Sequence, residues 1–153
     1  QLVDERPADL DVRASIPTRT RKDTPAMDIT PVTTSYTPED NSWIASAHGT
    51  DSTETVTLDG AVGFVPATHF PTGVLPSGTA VAKITASGKY GLFAAAAVDG
   101  TGVFIGFTVG AVTISATKSV GAAILTHGKV TESRLPFAVD ASAKTDNPNI
   151  RFV

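Results

Sequence analysis

Leu75-Pro-Ser-Gly-Thr-Ala-Val-Ala-Lys-Ile-Thr-Ala-Ser-Gly-Lys-Tyr90 is the stretch whose reading decides the fold. In an extended chain, successive side chains point to opposite faces, so Val81, Lys83 and Thr85 share one side and Ala82, Ile84 and Ala86 the other. This is a strand with one modest apolar face. Pro76, Ser77 and Gly78 supply the turn into it, and Gly88 after Ser87 supplies the positive φ that a tight turn out of it needs. A hairpin into residues 89–93 follows.

The same pattern extends on both sides. Residues 53–59 alternate, with Val56 and Leu58 on one face, and residues 61–65 extend that strand or follow it. Residues 69–73 form a loop. Residues 103–109 are apolar on both faces, which marks the central, most buried strand. Residues 111–116 and 121–130 are further strands, residues 133–136 a turn, residues 139–144 a short helix and residues 150–153 a terminal strand. The expected fold is mainly β, a small barrel-like domain with short helical insertions.

Composition divides the chain in two. All 13 glycines lie at or after Gly49, whereas five of the ten prolines lie before it. Residues 1–48 hold five basic and eight acidic side chains and thus the whole net charge of −3; residues 49–153 hold seven of each sign. Prolines at this spacing break helices, and the polar residues between them bury too little surface to offset ordering entropy. Residues 1–48 therefore read as an extended arm and residues 49–153 as the folded domain. Within the arm, residues 27–36 carry β-branched residues in weak alternation, a strand awaiting a sheet edge. Thr37 and Pro38 resemble a helix start of one turn leading into Trp43. With aromatics at only 7%, the core is expected to be built from Ala, Val and Ile.

Several chemistries find no support in the residues. Cysteine is absent, which removes disulfides, thiolate metal sites and cysteine nucleophiles. No apolar run reaches the roughly 20 residues of a membrane span, and the N-terminal residues carry mixed charge where a secretory signal has an apolar run, so no targeting peptide is expected. His48, His69 and His127 lie far apart, without a ligand at metal-binding spacing, and read as structural or surface residues. There is no Gly-x-Ser-x-Gly elbow. The glycines at 100, 102 and 106 are spaced Gly-x-Gly-x-x-x-Gly and lead into a strand, so they are turn glycines and not a phosphate loop. The carboxylate pairs Asp4-Glu5 and Glu39-Asp40 fall in the arm as solvated charge. The one basic cluster, residues 19–22, is diluted by acids, and the domain is neutral, so no nucleic-acid partner is expected. Trp43 reads first as a plug for the end of the barrel and second as an anchor in a partner's pocket.

Three phrases carry a family resemblance: residues 75–91, the run Gly121-Ala-Ala-Ile-Leu-Thr-His-Gly-Lys-Val-Thr-Glu-Ser-Arg-Leu-Pro-Phe137, and the ending Ile150-Arg-Phe-Val153. Together, across residues 53–153, they resemble the head decoration proteins of lambda-like tailed phages. Residues 42–51 are similar to versions from phages of actinobacteria, and residues 1–26 extend beyond the family pattern. The resemblance implies a β-tulip type body forming homotrimers on the outer surface of the capsid in the virion. There they bind after shell expansion and clamp neighbouring major capsid subunits, without a cofactor, metal, nucleic acid or membrane. It also implies an N-terminal segment that pairs with a strand of the capsid protein. On this chain that segment is residues 27–36, with Met27, Ile29, Pro31, Val32, Thr34 and Tyr36 as contact residues. Two other readings are a trimeric adhesion or display module acting through loops 69–73 and 118–121, and an enzyme on the barrel with His127 as base.

Overall fold

The computed structural model describes residues 39–153. In chain order its elements are β1 (Glu54–Asp59), the short helix α1 (Pro66–His69), β2 (Val74–Leu75), β3 (Ala80–Lys83), β4 (Tyr90–Leu92), β5 (Phe104–Val109), β6 (Val112–Thr113), β7 (Ser119–Leu125), β8 (Gly128–Val130), a 3-10 turn (Glu132–Arg134), the short helix α2 (Ala143–Asp146) and β9 (Ile150–Phe152).

Five strands close a barrel in the order β1-β4-β3-β5-β7. The β3–β4 hairpin forms as expected, with Val81 opposite Leu92 and Lys83 opposite Tyr90. Its turn closes through Ile84 N–H to the Lys89 carbonyl (2.8 Å) and Gly88 N–H to the Ile84 carbonyl (2.9 Å), and Gly88 has φ +69°. Pairing fixes which side chains share a face. Val56 lies opposite Ala122 and Leu58 opposite Val120, while Val81 lies opposite Gly106 and Ile124 opposite Thr108. These residues face the barrel interior, where Val56, Leu58, Val81, Ala122 and Ile124 pack with Phe64, Phe70, Leu75 and Ile114.

The outer face differs around the barrel. On β1 it carries exposed Thr55 and Thr57, the one-sided alternation of a strand half in water. On β3, β5 and β7 it is covered by a second layer. Ala80, Phe107 and Leu125, aligned across these strands, pack with Phe104, Trp43, Val130, Ala143 and Ile150. The run 103–109 is apolar on both faces for that reason. The same layer corrects the single apolar face expected for residues 80–86: Val81 faces inward, Ala80 outward, and residues 80–82 are all buried.

Other boundaries shift for local reasons. Residues 61–65 form no strand; Gly60 and Gly63 lie in turns, and Phe64 folds into the interior core. The strand expected over residues 121–130 breaks into β7 and β8, because the Thr126 carbonyl accepts from the Asn147 side-chain amide (2.9 Å) and Gly128 takes φ +140°. Residues 111–116 keep only β6, which pairs with β2. The helix expected at 139–144 forms as α2, three residues on from a turn in which Asp140 accepts from Ser142 N–H (2.9 Å).

The body also begins earlier than Gly49. Ile44 bridges to Val130, Ala45 N–H donates to the Lys129 carbonyl (2.9 Å) and Thr131 N–H to the Trp43 carbonyl (2.7 Å). Residues 43–45 thus lie beside β8, which on its other side pairs in parallel with β9.

Candidate functional site

The six contact residues expected on the arm, Met27, Ile29, Pro31, Val32, Thr34 and Tyr36, and the expected helix start at Thr37 and Pro38, lie outside the described residues. What can be built is the collar of the body from residue 39 onward.

Trp43 organises that collar. The side chain has no exposed surface and packs on Phe107 with ring centroids 5.6 Å apart. This corrects the anchor reading, since an indole without exposed surface has nothing to offer a partner's pocket; Trp43 belongs to the outer core. Its Nε1–H donates to the Ser77 hydroxyl oxygen (3.0 Å). The same oxygen accepts from Gly110 N–H (3.1 Å), and the hydroxyl donates to Asn41 Oδ1. One buried hydroxyl therefore joins residues 41–43, the turn before β3 and the turn after β5, and the indole N–H is satisfied as a buried donor requires. Gly78 (φ +88°) is required here, because a Cβ would stand 3.0 Å from the Trp43 ring and from Pro136. Further out, Glu39 Oε1 accepts from Ala111 N–H (3.0 Å). Asp40 accepts from Ser42 N–H (2.9 Å); the Ser42 hydroxyl and amide, with the Arg134 charge, hold its carboxyl below the usual range against the opposing effect of desolvation.

Beside the collar runs a shallow groove lined by Pro71, Val74, Pro136, His69 and Phe137. His69 Nδ1 accepts from Val65 N–H (2.9 Å), so that nitrogen carries no proton, and its ring stands edge-on to Phe137 (5.1 Å) and Phe64 (6.2 Å). His48 and His127, 79 residues apart in sequence, meet edge-on with ring centroids 5.4 Å apart. Sequence spacing gave no sign of this pair. They line an open cleft with Glu54 and Asp146. No group of three or more possible metal ligands assembles among the described residues. Asp146 is engaged structurally, accepting from Phe104 N–H (3.0 Å). Asn147 is engaged likewise, its amide donating to the Ile105 and Thr126 carbonyls. The glycines at 100, 102 and 106 lead into β5 and open no helix.

These features define a small closed-barrel protein with a two-layer β body and a hydrogen-bonded collar, preceded in sequence by 38 further residues. The family model of the bacteriophage lambda head decoration protein D matches residues 35–150, and the chain belongs to that family. No curated protein matches the chain. Family membership makes it a structural, capsid-decorating protein of the virion, located on the outer surface of the phage head. The match starts at Ser35 and so takes in the collar, ahead of the span 53–153 that carried the resemblance.

Proposed function

We propose that the chain cements an expanded icosahedral capsid as a homotrimer, clamping neighbouring major capsid subunits through an N-terminal arm that adds a strand to the capsid protein. Family membership carries this reading. The residues fit it: the segment 27–36 has the β-branched, weakly alternating composition of a strand, and strand addition supplies main-chain hydrogen bonds without a large apolar patch. Met27, Ile29, Pro31, Val32, Thr34 and Tyr36 are its proposed contacts. The collar suits a clamp mechanically. Tension on the arm passes through residues 39–45 into Ser77, Gly110 and Ala111, and from there into both core layers. Three arms on one trimer reinforce each other, since each attachment raises the effective concentration of the next.

The test is binding of a chain truncated before Thr37 to purified expanded capsids, measured by co-sedimentation against the full chain. The expected result is a loss of affinity of at least tenfold with the body still folded. Equal binding by the truncated chain overturns the arm assignment.

A further inference from the structure

His48 and His127 each precede a glycine at which two segments of backbone pack directly on each other. Gly49 has φ +91°, and a Cβ on it would collide with the His127 carbonyl oxygen; Gly128 has φ +140°, and a Cβ on it would stand 2.7 Å from the His48 carbonyl oxygen. Hydrogen bonds fix the chain on either side. Ala45 N–H donates to the Lys129 carbonyl (2.9 Å), Ser52 N–H to the Gly49 carbonyl (3.2 Å) and Gly128 N–H to the Asn149 carbonyl (3.1 Å). The Ala47 carbonyl accepts from both the amide (3.2 Å) and the hydroxyl (2.7 Å) of Thr50. The backbone thus sets where both histidines stand, while their imidazoles are uncommitted. His48 is exposed and His127 partly so. Among the described residues no hydrogen bond engages either ring, in contrast to His69, whose Nδ1 accepts from Val65 N–H.

The separation of the rings is that of two ligands on one ion. Imidazoles bound to a tetrahedral ion through nitrogens about 2.0–2.1 Å from it have ring centroids roughly 5 Å apart. The rings of His48 and His127 stand 5.4 Å apart with their planes inclined at 78°, and the exposed His48 ring has room to turn a nitrogen onto a shared ion. We infer that His48 and His127 form a two-imidazole site for a divalent transition ion of the zinc, nickel and copper class. Imidazole suits these ions, whereas magnesium and calcium take oxygen ligands. Two protein nitrogens are fewer than the three or four of a catalytic or structural zinc centre, so water completes the coordination and the ion exchanges with solvent. Two carboxylates line the same cleft and favour a cation there. Glu54 Oε1 accepts from the hydroxyl of Thr126 (3.3 Å), the neighbour of His127, and Asp146 accepts from Phe104 N–H. In sequence the histidines are 79 residues apart, so the paired site exists only in the folded body. An ion bound there ties the segment leading out of the collar to the break between β7 and β8. Neither a capsid nor a second copy of the chain is needed for it.

Titration of the full chain with zinc chloride, read by calorimetry and by urea unfolding, tests the site. The chain has three histidines and no cysteine, so His69 is the one competing imidazole. The wild type is expected to bind one zinc ion per chain. Because an ion held by the folded body alone stabilises it, the urea midpoint should rise by roughly 0.5–1 M when free zinc is about ten times its dissociation constant. His48→Ala and His127→Ala are each expected to lose the binding and the midpoint shift, with an unchanged circular dichroism spectrum in the absence of metal. His127→Gln takes the place of the alanine variant if that variant does not fold. His69→Gln is expected to keep both the binding and the shift, and magnesium chloride to produce neither. A wild-type chain that binds no zinc overturns the site. So does loss of binding in only one of the two paired variants, or in His69→Gln. One ion per two chains would place the ion between copies and overturn the pairing within one chain.

Discussion

The interior of the barrel and the layer outside it are built differently. Inside, aliphatic side chains two residues apart on neighbouring strands meet: Val56 and Leu58 on β1, Ala122 and Ile124 on β7. Outside, Trp43, Phe104 and Phe107 form the centre, with Phe93 and Phe152 against them and ring centroids 4.9 to 6.0 Å apart along the chain of contacts. Its contributors run from residue 43 to residue 152. Local alternation writes the strand-borne part of the first layer, which Phe64, Phe70, Leu75 and Ile114 complete from outside the barrel strands, and long-range assembly around a few large rings makes the second. The strands β3, β5 and β7 belong to both, which couples them.

The largest effect expected is in the outer layer. Trp43→Ala removes its biggest side chain and the donor that Ser77 accepts from, and is expected to cost about 3–5 kcal/mol, as large aromatic truncations do. Urea unfolding followed by far-UV circular dichroism measures it, and a loss below about 1 kcal/mol would contradict the central place given to this ring. In the barrel interior Leu58→Ala is expected to cost about 3 kcal/mol. Because the shared strands join the layers, unfolding of the wild-type chain should give the same midpoint by Trp43 fluorescence and by circular dichroism. Separate midpoints would break the coupling and show two layers melting independently. Asn147→Ala, which strips two carbonyls of their donor at the break between β7 and β8, is expected to cost about 2 kcal/mol; a negligible loss would mean that water replaces the amide there.

The difference between the layers also explains what the sequence could and could not tell. The β3–β4 hairpin, β1 and the doubly apolar β5 were legible because one strand's own periodicity reports burial on each face. So was the barrel they make. An aromatic content of 7% suggested a core of Ala, Val and Ile, but composition does not say where rings gather, and several of them gather in one place. Trp43 was grouped with the arm because no glycine precedes residue 49. Its membership in the core depends on Val130 and Phe107, 87 and 64 residues away in sequence, which no local pattern encodes. The pairing of His48 with His127 was hidden for the same reason. The family resemblance bridged part of the gap, since recurrent phrases at 75–91 and 121–137 stand for a whole tertiary arrangement.

The smallest effect expected concerns the turns that hold the outer layer and the loop ahead of β5. Asp40, Asp99 and Asp140 each accept hydrogen bonds from a residue two places on, which favours the charged form. For Asp99 the Thr101 hydroxyl leads and its amide follows; for Asp140 the Ser142 amide leads; for Asp40 the Ser42 hydroxyl and amide lead. All three carboxyls are therefore lowered in the folded chain relative to the unfolded one. The sign follows from linkage: a lowered folded value gives stability that is complete above the unfolded value, near 3.8, and is lost as pH falls through the folded one. The urea midpoint should be insensitive to these groups from neutrality down to about pH 5 and decline below about pH 4, the window that follows from ordinary aspartate titration. Replacing Asp40 and Asp140 together by Asn, which keeps an acceptor but cannot titrate, should flatten that decline, and Asp99→Asn should flatten it less. All three are solvent-exposed, so the change is small beside the core truncations. An acid decline equally steep in the double variant would assign the acid sensitivity to other carboxylates and detach these turns from the stability of the outer layer.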